Sequence, residues 1–327
     1  MSITRRSFFR YCTLSAAALG LDASGLKVLR EALANPSAPS VIWLIGSACT
    51  GCSVSFLNRI SDKPGEPADV ADVVLNAINL VFHPTIMGAA GETAVSALKQ
   101  AYNKGNYVLV LEGAVATKFD GHPCVVWNYN GAEVTFQQAV QELTAKALAT
   151  VCVGTCASFG GIPASGSNPS GAMGVRQFTG LPTINISGCP ANPDWVVWAI
   201  VQLLTSTPVT LDVDGRPAAL YSTGFDGVTP EDPYIHHKCP RNPTNTLTPH
   251  ALDYGESGHC MEYLGCRGPF TKSRCNGSWN GIGGHVYPPD PHPGHWCIGV
   301  NAPCHGCVEK TYPGPQPFFY QTFDPHA

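Results

Sequence analysis

The chain has 327 residues, enough for one large domain or two ordinary ones. Hydrophobic residues make up 44% and charged residues only 13%, so a sizeable core is expected and part of the sparsely charged surface should lie under a partner. The formal charge of −4 gives no footing for nucleic-acid binding, which needs a basic face.

Fourteen cysteines leave three readings: a disulfide framework, metal ligation or buried structural thiols. Disulfide scaffolds are typically short and poor in core residues. This chain is neither, so metal ligation leads.

The N-terminal stretch TRRSFFRYC (Thr4–Cys12) carries the adjacent pair Arg5 and Arg6. A short apolar run follows from Thr13 to Leu21, and then the small-x-small signature Ala32-Leu33-Ala34. Residues 1–34 read as a twin-arginine export signal directing the protein to the periplasm. That route carries folded proteins, so thiols would be ligated before export. The apolar run is too short to span a bilayer. Removing residues 1–34, with five basic and two acidic side chains, takes the charge from −4 to −7. No later stretch reaches the length of a membrane helix, and the chain ends FFYQTFDPHA, so membrane attachment would run through a partner.

From residue 41 to about 210 strands and helices are expected to alternate. VIWLIG (41–46) is a buried-strand run with SVSFLNRI helical after it. INLVFH (78–83) is a second strand, and GETAVSALKQAYNKG (91–105) a helix with a Gly stop. YVLVLEG (107–113) is a third strand, and residues 134–149 form an amphipathic helix. TVCVGTCA (150–157) and TINISGCP (183–190) are strands four and five, and residues 192–206 a final helix. Near-continuous apolar strands between helices argue for a doubly wound parallel sheet. Past about residue 215 the texture changes. Gly and Pro make up roughly a quarter of the residues from Tyr221 onward, and half of the cysteines lie there. Metal binding can supply the folding free energy that such a segment lacks.

The cysteines fall into three sets. Cys49 and Cys52 follow strand one, Cys156 follows strand four and Cys189 strand five. Ligands of an open parallel sheet bind outside the carboxyl ends of its strands, so these four thiols should converge. Four thiolates fit zinc or a four-iron cluster. Zinc sites usually use local Cys pairs, whereas these ligands span about 140 residues, which favours the cluster. A second set is one of His236 or His237 with Cys239, Cys260 and Cys266; a His ligand in place of a thiolate raises the reduction potential. The third set is Cys275, Cys297, Cys304 and Cys307. Cys12 belongs to the signal, and Cys124 and Cys152 read as plain thiols. His83, His122, His292 and His295 read as structural or surface residues.

These motifs resemble the small subunit of the nickel–iron hydrogenases across nearly the whole chain. The carrying stretches are the twin-arginine signal, CTGCSVSFL (49–57), LVFHPTIMGAAGE (80–92), VLEG (110–113), GTCASFGGIPA (154–164), NPSGAMGV (168–175), INISGCP (184–190), IHHKCP (235–240), YLGCRGP (263–269) and PCHGC (303–307). The resemblance implies a flavodoxin-like domain over 35–215 and a Gly/Pro-rich cluster domain over 216–327. It implies a proximal 4Fe–4S cluster on Cys49, Cys52, Cys156 and Cys189. The distal 4Fe–4S cluster maps onto His236, Cys239, Cys260 and Cys266, and it is the resemblance that selects His236. The medial cluster maps onto Cys275, Cys304 and Cys307. A partner large subunit would carry the Ni–Fe centre, and a cytochrome or quinone-linked protein would accept the electrons.

Three departures from the family pattern bear on function. Many members have Pro where Cys297 stands and carry a medial 3Fe–4S cluster; the extra thiol here implies 4Fe–4S, and so three 4Fe–4S clusters in all. Oxygen-tolerant members carry extra cysteines at the Gly51 position and near Gly161, so an ordinary proximal cubane and an oxygen-sensitive enzyme are expected. Ala48 stands where the family often has Glu. APCHGCVEK (302–310) only superficially resembles a nickel-ligand motif, because Ala302 and Lys310 replace its Asp and His. The rival readings are a zinc-stabilised structural protein and a cluster subunit of a complex I-type assembly; the Gly51 spacer argues against the second, whose first cysteines are adjacent.

Overall fold

The computed structural model describes residues 39–59, 69–76, 78–221, 234–237, 239–275 and 296–314. Residues 1–34, read above as an export signal and including Cys12, and also His292 and His295, lie outside the described residues.

The apolar runs expected as strands form the centre of the fold. β1 (Ser40–Ile45) is followed by α1 (Gly51–Leu57), α2 (Val70–Asn76) and β2 (Asn79–Phe82). Then come α3 (Gly91–Lys104), β3 (Tyr107–Glu112), β4 (Val125–Tyr129), β5 (Ala132–Thr135) and α4 (Phe136–Thr144). β6 (Ala149–Val153), α5 (Thr155–Phe159), α6 (Val175–Thr179), β7 (Ile184–Ile186) and α7 (Pro193–Leu204) complete the alternating part. The short helices α8 (Ala218–Tyr221) and α9 (Pro243–Thr246) follow.

The main sheet runs in the order β2-β1-β3-β6-β7, and every neighbouring pair is parallel. With the separate hairpin β4–β5 set aside, this is the 2-1-3-4-5 order of the flavodoxin-like, doubly wound fold. The order reverses beside β1, so the crevice at the carboxyl ends of β1 and β3 is the natural binding position.

Both faces of the sheet are covered, which is why its strands read as unbroken apolar runs. Trp43, Val108, Val110, Val151 and Val153 pack on one face against α7 residues Trp195, Ile200 and Leu204. Ile42, Leu44, Leu109, Leu111 and Cys152 pack on the other against Leu98 of α3 and Val140 of α4. Each large aliphatic side chain among them contributes about 1.5–3 kcal/mol on burial. Cys152 is fully buried in this second core, as a plain thiol would be.

The expected helix over 134–149 is shortened at both ends. Its first residues belong to β5, which pairs antiparallel with β4. The turn between them has Asn130 at φ 51° and Gly131 at φ 77°, the backbone that an Asn-Gly hairpin requires. Thr135 then caps α4: its hydroxyl accepts from Gln138 N–H while the Gln138 side chain accepts from Thr135 N–H. The expected strands 150–157 and 183–190 end early, at Val153 and Ile186.

The Gly/Pro-rich part has no regular layer among its described residues. Its small core contains Ile235, Met261, Leu264, Trp296 and Ile298 together with Cys239, Cys266 and Cys304. It is tied to the sheet by hydrogen bonds into one strap, residues 307–309. Thr155 Oγ1 donates to the Cys307 carbonyl. Ser187 Oγ donates to the Val308 carbonyl at 2.7 Å. Buried Arg216 reaches Asp212 at 2.9 Å, Glu309 at 3.4 Å and the Val308 carbonyl at 3.3 Å.

Candidate metal centres

The carboxyl edge of the sheet gathers the first cysteine set. β1 delivers the loop before α1, where Thr50 adopts φ 63°. Cys49 is exposed there and accepts from Gly51 N–H at 3.3 Å. Cys52, in the first turn of α1, accepts from Ala191 N–H at 3.4 Å, two residues past Cys189. Cys156 lies in the first turn of α5, directly beyond β6. The approach is tight: a Cβ on Gly154, at φ 88°, would lie 2.5 Å from Cys52 Sγ. Only glycine fits that backbone and that sulfur together.

Burial pushes the Cys52 thiol well above its ordinary value, and the carboxylate of Glu112 and the thiols of Cys156 and Cys189 add to it. Burial, then Cys189, pushes Cys156 up to about 12. Cys189 is raised by burial, against a hydrogen bond from the Tyr312 side chain that lowers it. The four sulfurs thus sit close enough to repel one another as thiolates. A cationic iron centre or zinc ion offsets that repulsion and displaces the protons, so the donor set fits a metal.

The second set also comes together. His236, Cys239, Cys260 and Cys266 line one small cavity with Arg241, Met261 and Ile298; His237 is not in its lining. Arg241 N–H donates to Cys239 Sγ at 3.4 Å. Burial pushes Cys239 up to about 11 and raises Cys260 and Cys266. The donor atoms of His250, Cys260 and Glu262 also lie within 4.8 Å of one another, a grouping that motif spacing did not suggest. His250 Nε2 is 3.4 Å from Glu262, and its ring stacks on Tyr263 at 3.9 Å.

Cys275, Cys297, Cys304 and Cys307 line a cavity of about 390 Å³, with Cys189 of the first set and its neighbour Pro190 in its wall. Burial pushes Cys275 up to about 12 and Cys297 up to about 11, and raises Cys304 and Cys307. Cys297 therefore stands with the other three rather than apart from them. The sets adjoin one another: Cys189 stands in the wall of the third set's cavity, and Cys304 N–H donates to the Cys266 sulfur at 3.2 Å.

The remaining thiols and histidines follow their surroundings. Cys124 is half-buried against the α3–α4 side of the sheet. His122 is exposed. His83 is fully buried and bonded to Ser53 and to the Thr85 amide. Two residues at the first site carried no assigned role at the level of sequence. Glu112 ends β3 and Tyr312 lies just past the strap; the signals of the first were a lone acid closing an apolar run and its place in the VLEG stretch (110–113).

A flavodoxin-like sheet with convergent thiols at its carboxyl edge, continued by a cysteine-lined irregular unit, is the architecture of a metal-binding protein. The family model that describes the C-terminal part of the NiFe/NiFeSe hydrogenase small subunit matches residues 232–320. One described as NADH ubiquinone oxidoreductase, 20 Kd subunit, matches residues 49–203. The periplasmic [NiFeSe] hydrogenase small subunit of Desulfomicrobium baculatum is 35% identical over 342 residues, spanning 98% of this chain and 99% of the relative. The uptake hydrogenase small subunit of Azotobacter vinelandii is 34% identical, spanning 91% of this chain and 79% of the relative. The structure of the NiFeSe hydrogenase from Desulfovibrio vulgaris Hildenborough superposes with a TM-score of 0.71 at 34% identity, covering 86% of this chain and 98% of that one. The chain belongs to the NiFe/NiFeSe hydrogenase small-subunit family. The complex I-type reading keeps only the relationship of the first half.

Proposed function

We propose that this chain is the electron-relay subunit of a nickel–iron hydrogenase. Hydrogen is oxidised to two protons and two electrons at a Ni–Fe centre in the partner large subunit, and iron–sulfur clusters held here supply the one-electron steps to an external cytochrome or quinone-linked acceptor. Cys49, Cys52, Cys156 and Cys189 would hold the proximal 4Fe–4S cluster, within residues 35–215. Cys275, Cys297, Cys304 and Cys307 would hold the medial 4Fe–4S cluster, and His236, Cys239, Cys260 and Cys266 the distal one, within residues 216–327. The protein's own work is to bury the sulfurs, exclude water and place amide donors beside them, which sets each potential. Uptake of external hydrogen is the working direction, after export to the periplasm by the twin-arginine route over residues 1–34. The word periplasmic in relatives' names supports that location.

The observation that carries the reading is the order of the sites. Cys189 in the wall of the cavity lined by Cys275, Cys297, Cys304 and Cys307, and the Cys304 amide on the Cys266 sulfur, link first set to third and third to second. Iron analysis of the purified large–small pair should give about twelve Fe per small chain beyond the Ni–Fe centre, from three four-iron clusters. A colourless zinc protein without EPR signals would overturn the reading.

A further inference from the structure

Glu112 is the most buried acid at the first site, 1% exposed, and it sits behind Cys52 rather than among the thiols. Its Oε1 accepts from Cys52 N–H at 3.0 Å and Ser53 N–H at 3.3 Å. Its Oε2 accepts from Ser53 N–H at 3.1 Å, from Trp43 Nε1 at 3.3 Å and from the Ser53 hydroxyl. Backbone amides and an indole only donate. Both oxygens therefore work as acceptors.

The Ser53 hydroxyl is itself held from behind. His83 Nδ1 accepts from Thr85 N–H at 3.1 Å, so the ring hydrogen belongs on Nε2. Nε2 faces Ser53 Oγ at 3.3 Å, and the ring centroid lies 4.9 Å from that of Trp43. The resulting chain runs one way: His83 Nε2–H to Ser53 Oγ–H to Glu112 Oε2.

We propose that Glu112 is a positioning residue that lowers the reduction potential of the proximal cluster. The inference rests on the assignment of that cluster to Cys49, Cys52, Cys156 and Cys189. Two effects act in the same direction. The carboxylate places negative charge beside Cys52, which disfavours adding an electron to the cluster. It also captures the Cys52 and Ser53 amides, which at the start of a helix would otherwise be free to donate to sulfur, and amide donation to sulfur raises a cluster's potential. Trp43, Ser53 and His83 oppose the first effect by screening the charge.

The test is an EPR-monitored redox titration of each cluster in the large–small pair. Glu112→Gln should shift the proximal midpoint upward and leave the medial and distal midpoints in place. Ser53→Ala keeps the carboxylate and removes one donor, so it should shift the same midpoint downward. Opposite shifts at unchanged iron content support the proposal; a purely structural role would move both variants alike. Should Glu112→Gln fail to assemble, Ser53→Ala and Trp43→Phe both retain the charge, and each should lower the midpoint. Unmoved midpoints, or shifts of one sign in Glu112→Gln and Ser53→Ala, overturn it. A wild-type protein without a proximal four-iron signal would instead overturn the ligand assignment.

Discussion

The backbone N–H of Cys304 donates to Cys266 Sγ at 3.2 Å, although the two belong to different ligand sets. Cys304 lines the large cavity with Cys275, Cys297 and Cys307, and Cys266 lines the small one with His236. One peptide unit thus spans the wall between two candidate metal centres. Short covalent and hydrogen-bonded links of this kind keep successive redox centres close without exposing them to water.

Cys297 bears on the nuclearity of the third site. Replacing it with alanine is expected to lower the iron content from about twelve to about eleven per chain and to bring up a three-iron EPR signal, because three thiols remain. Fold and partner binding should persist, since the other ligands stay. An unchanged four-iron spectrum in the variant would show that Cys297 is not a ligand.

Tyr312 touches the first site from beside the strap. Its hydroxyl bonds to Cys189, and it lies near Cys307 as well. Tyr312→Phe removes that donor and little else. Loss of a hydrogen bond to sulfur should move the proximal midpoint downward, as read by the same titration, with iron content unchanged.

Arg216 anchors the strap through Asp212, Glu309 and the Val308 carbonyl. Arg216→Ala leaves two carboxylates without their cation and should cost about 3 kcal/mol. Denaturant unfolding of the large–small pair would measure it. Arg216→Lys should recover only part, because one ammonium cannot reproduce the guanidinium fork.

Acid should destabilise the fold through His83. Burial lowers its pKa from 6.5 to about 4. Between those values the unfolded chain binds a proton that the folded one refuses, so stability is present above pH 6.5 and is lost as pH falls toward 4. The loss approaches about 3 kcal/mol across that window. A His83→Gln variant should show a flatter pH dependence of unfolding than the parent over the same range.

Oxygen should inactivate the enzyme. The resemblance puts the extra thiols of oxygen-tolerant members at the Gly51 position and near Gly161, and both glycines lie against candidate ligand residues. A Cβ at Gly51 would meet Cys49 Sγ at 2.9 Å, and one at Gly161, with φ 51°, would meet Cys156 Sγ at 3.1 Å. Single Cys substitutions there should lower cluster loading rather than confer tolerance. Hydrogen uptake assayed under air checks the parent, and sustained activity would contradict the expectation.

The central strands were legible because they are buried on both faces: Val41–Leu44 and Val108–Leu111 had to be apolar at every position. α3 was legible from its period and from Gly105, which ends it at φ 71°. The hairpin carried a readable Asn130–Gly131 turn that a helical reading of the following residues concealed. The seven-residue helix α2 is too short to show a period. In the second half, no pattern could be read because its described elements are single turns and its core is built partly from cysteine.

Spacing and residue type were enough to read the parallel α/β sheet and to group the cysteines into three sets, and the quoted motifs carried the family resemblance. They suffice because both-face burial and thiol ligation each restrict which residues can stand where. Only the tertiary structure decided how the sets touch. It put Cys297 in one cavity with three other thiols, chose His236 over His237 for the lining of the other, and set Glu112 behind Cys52. It also brought Cys189 to the cavity that Cys307 lines, far along the chain. Chain periodicity is a local property of each element, and it carries no record of contacts at such range.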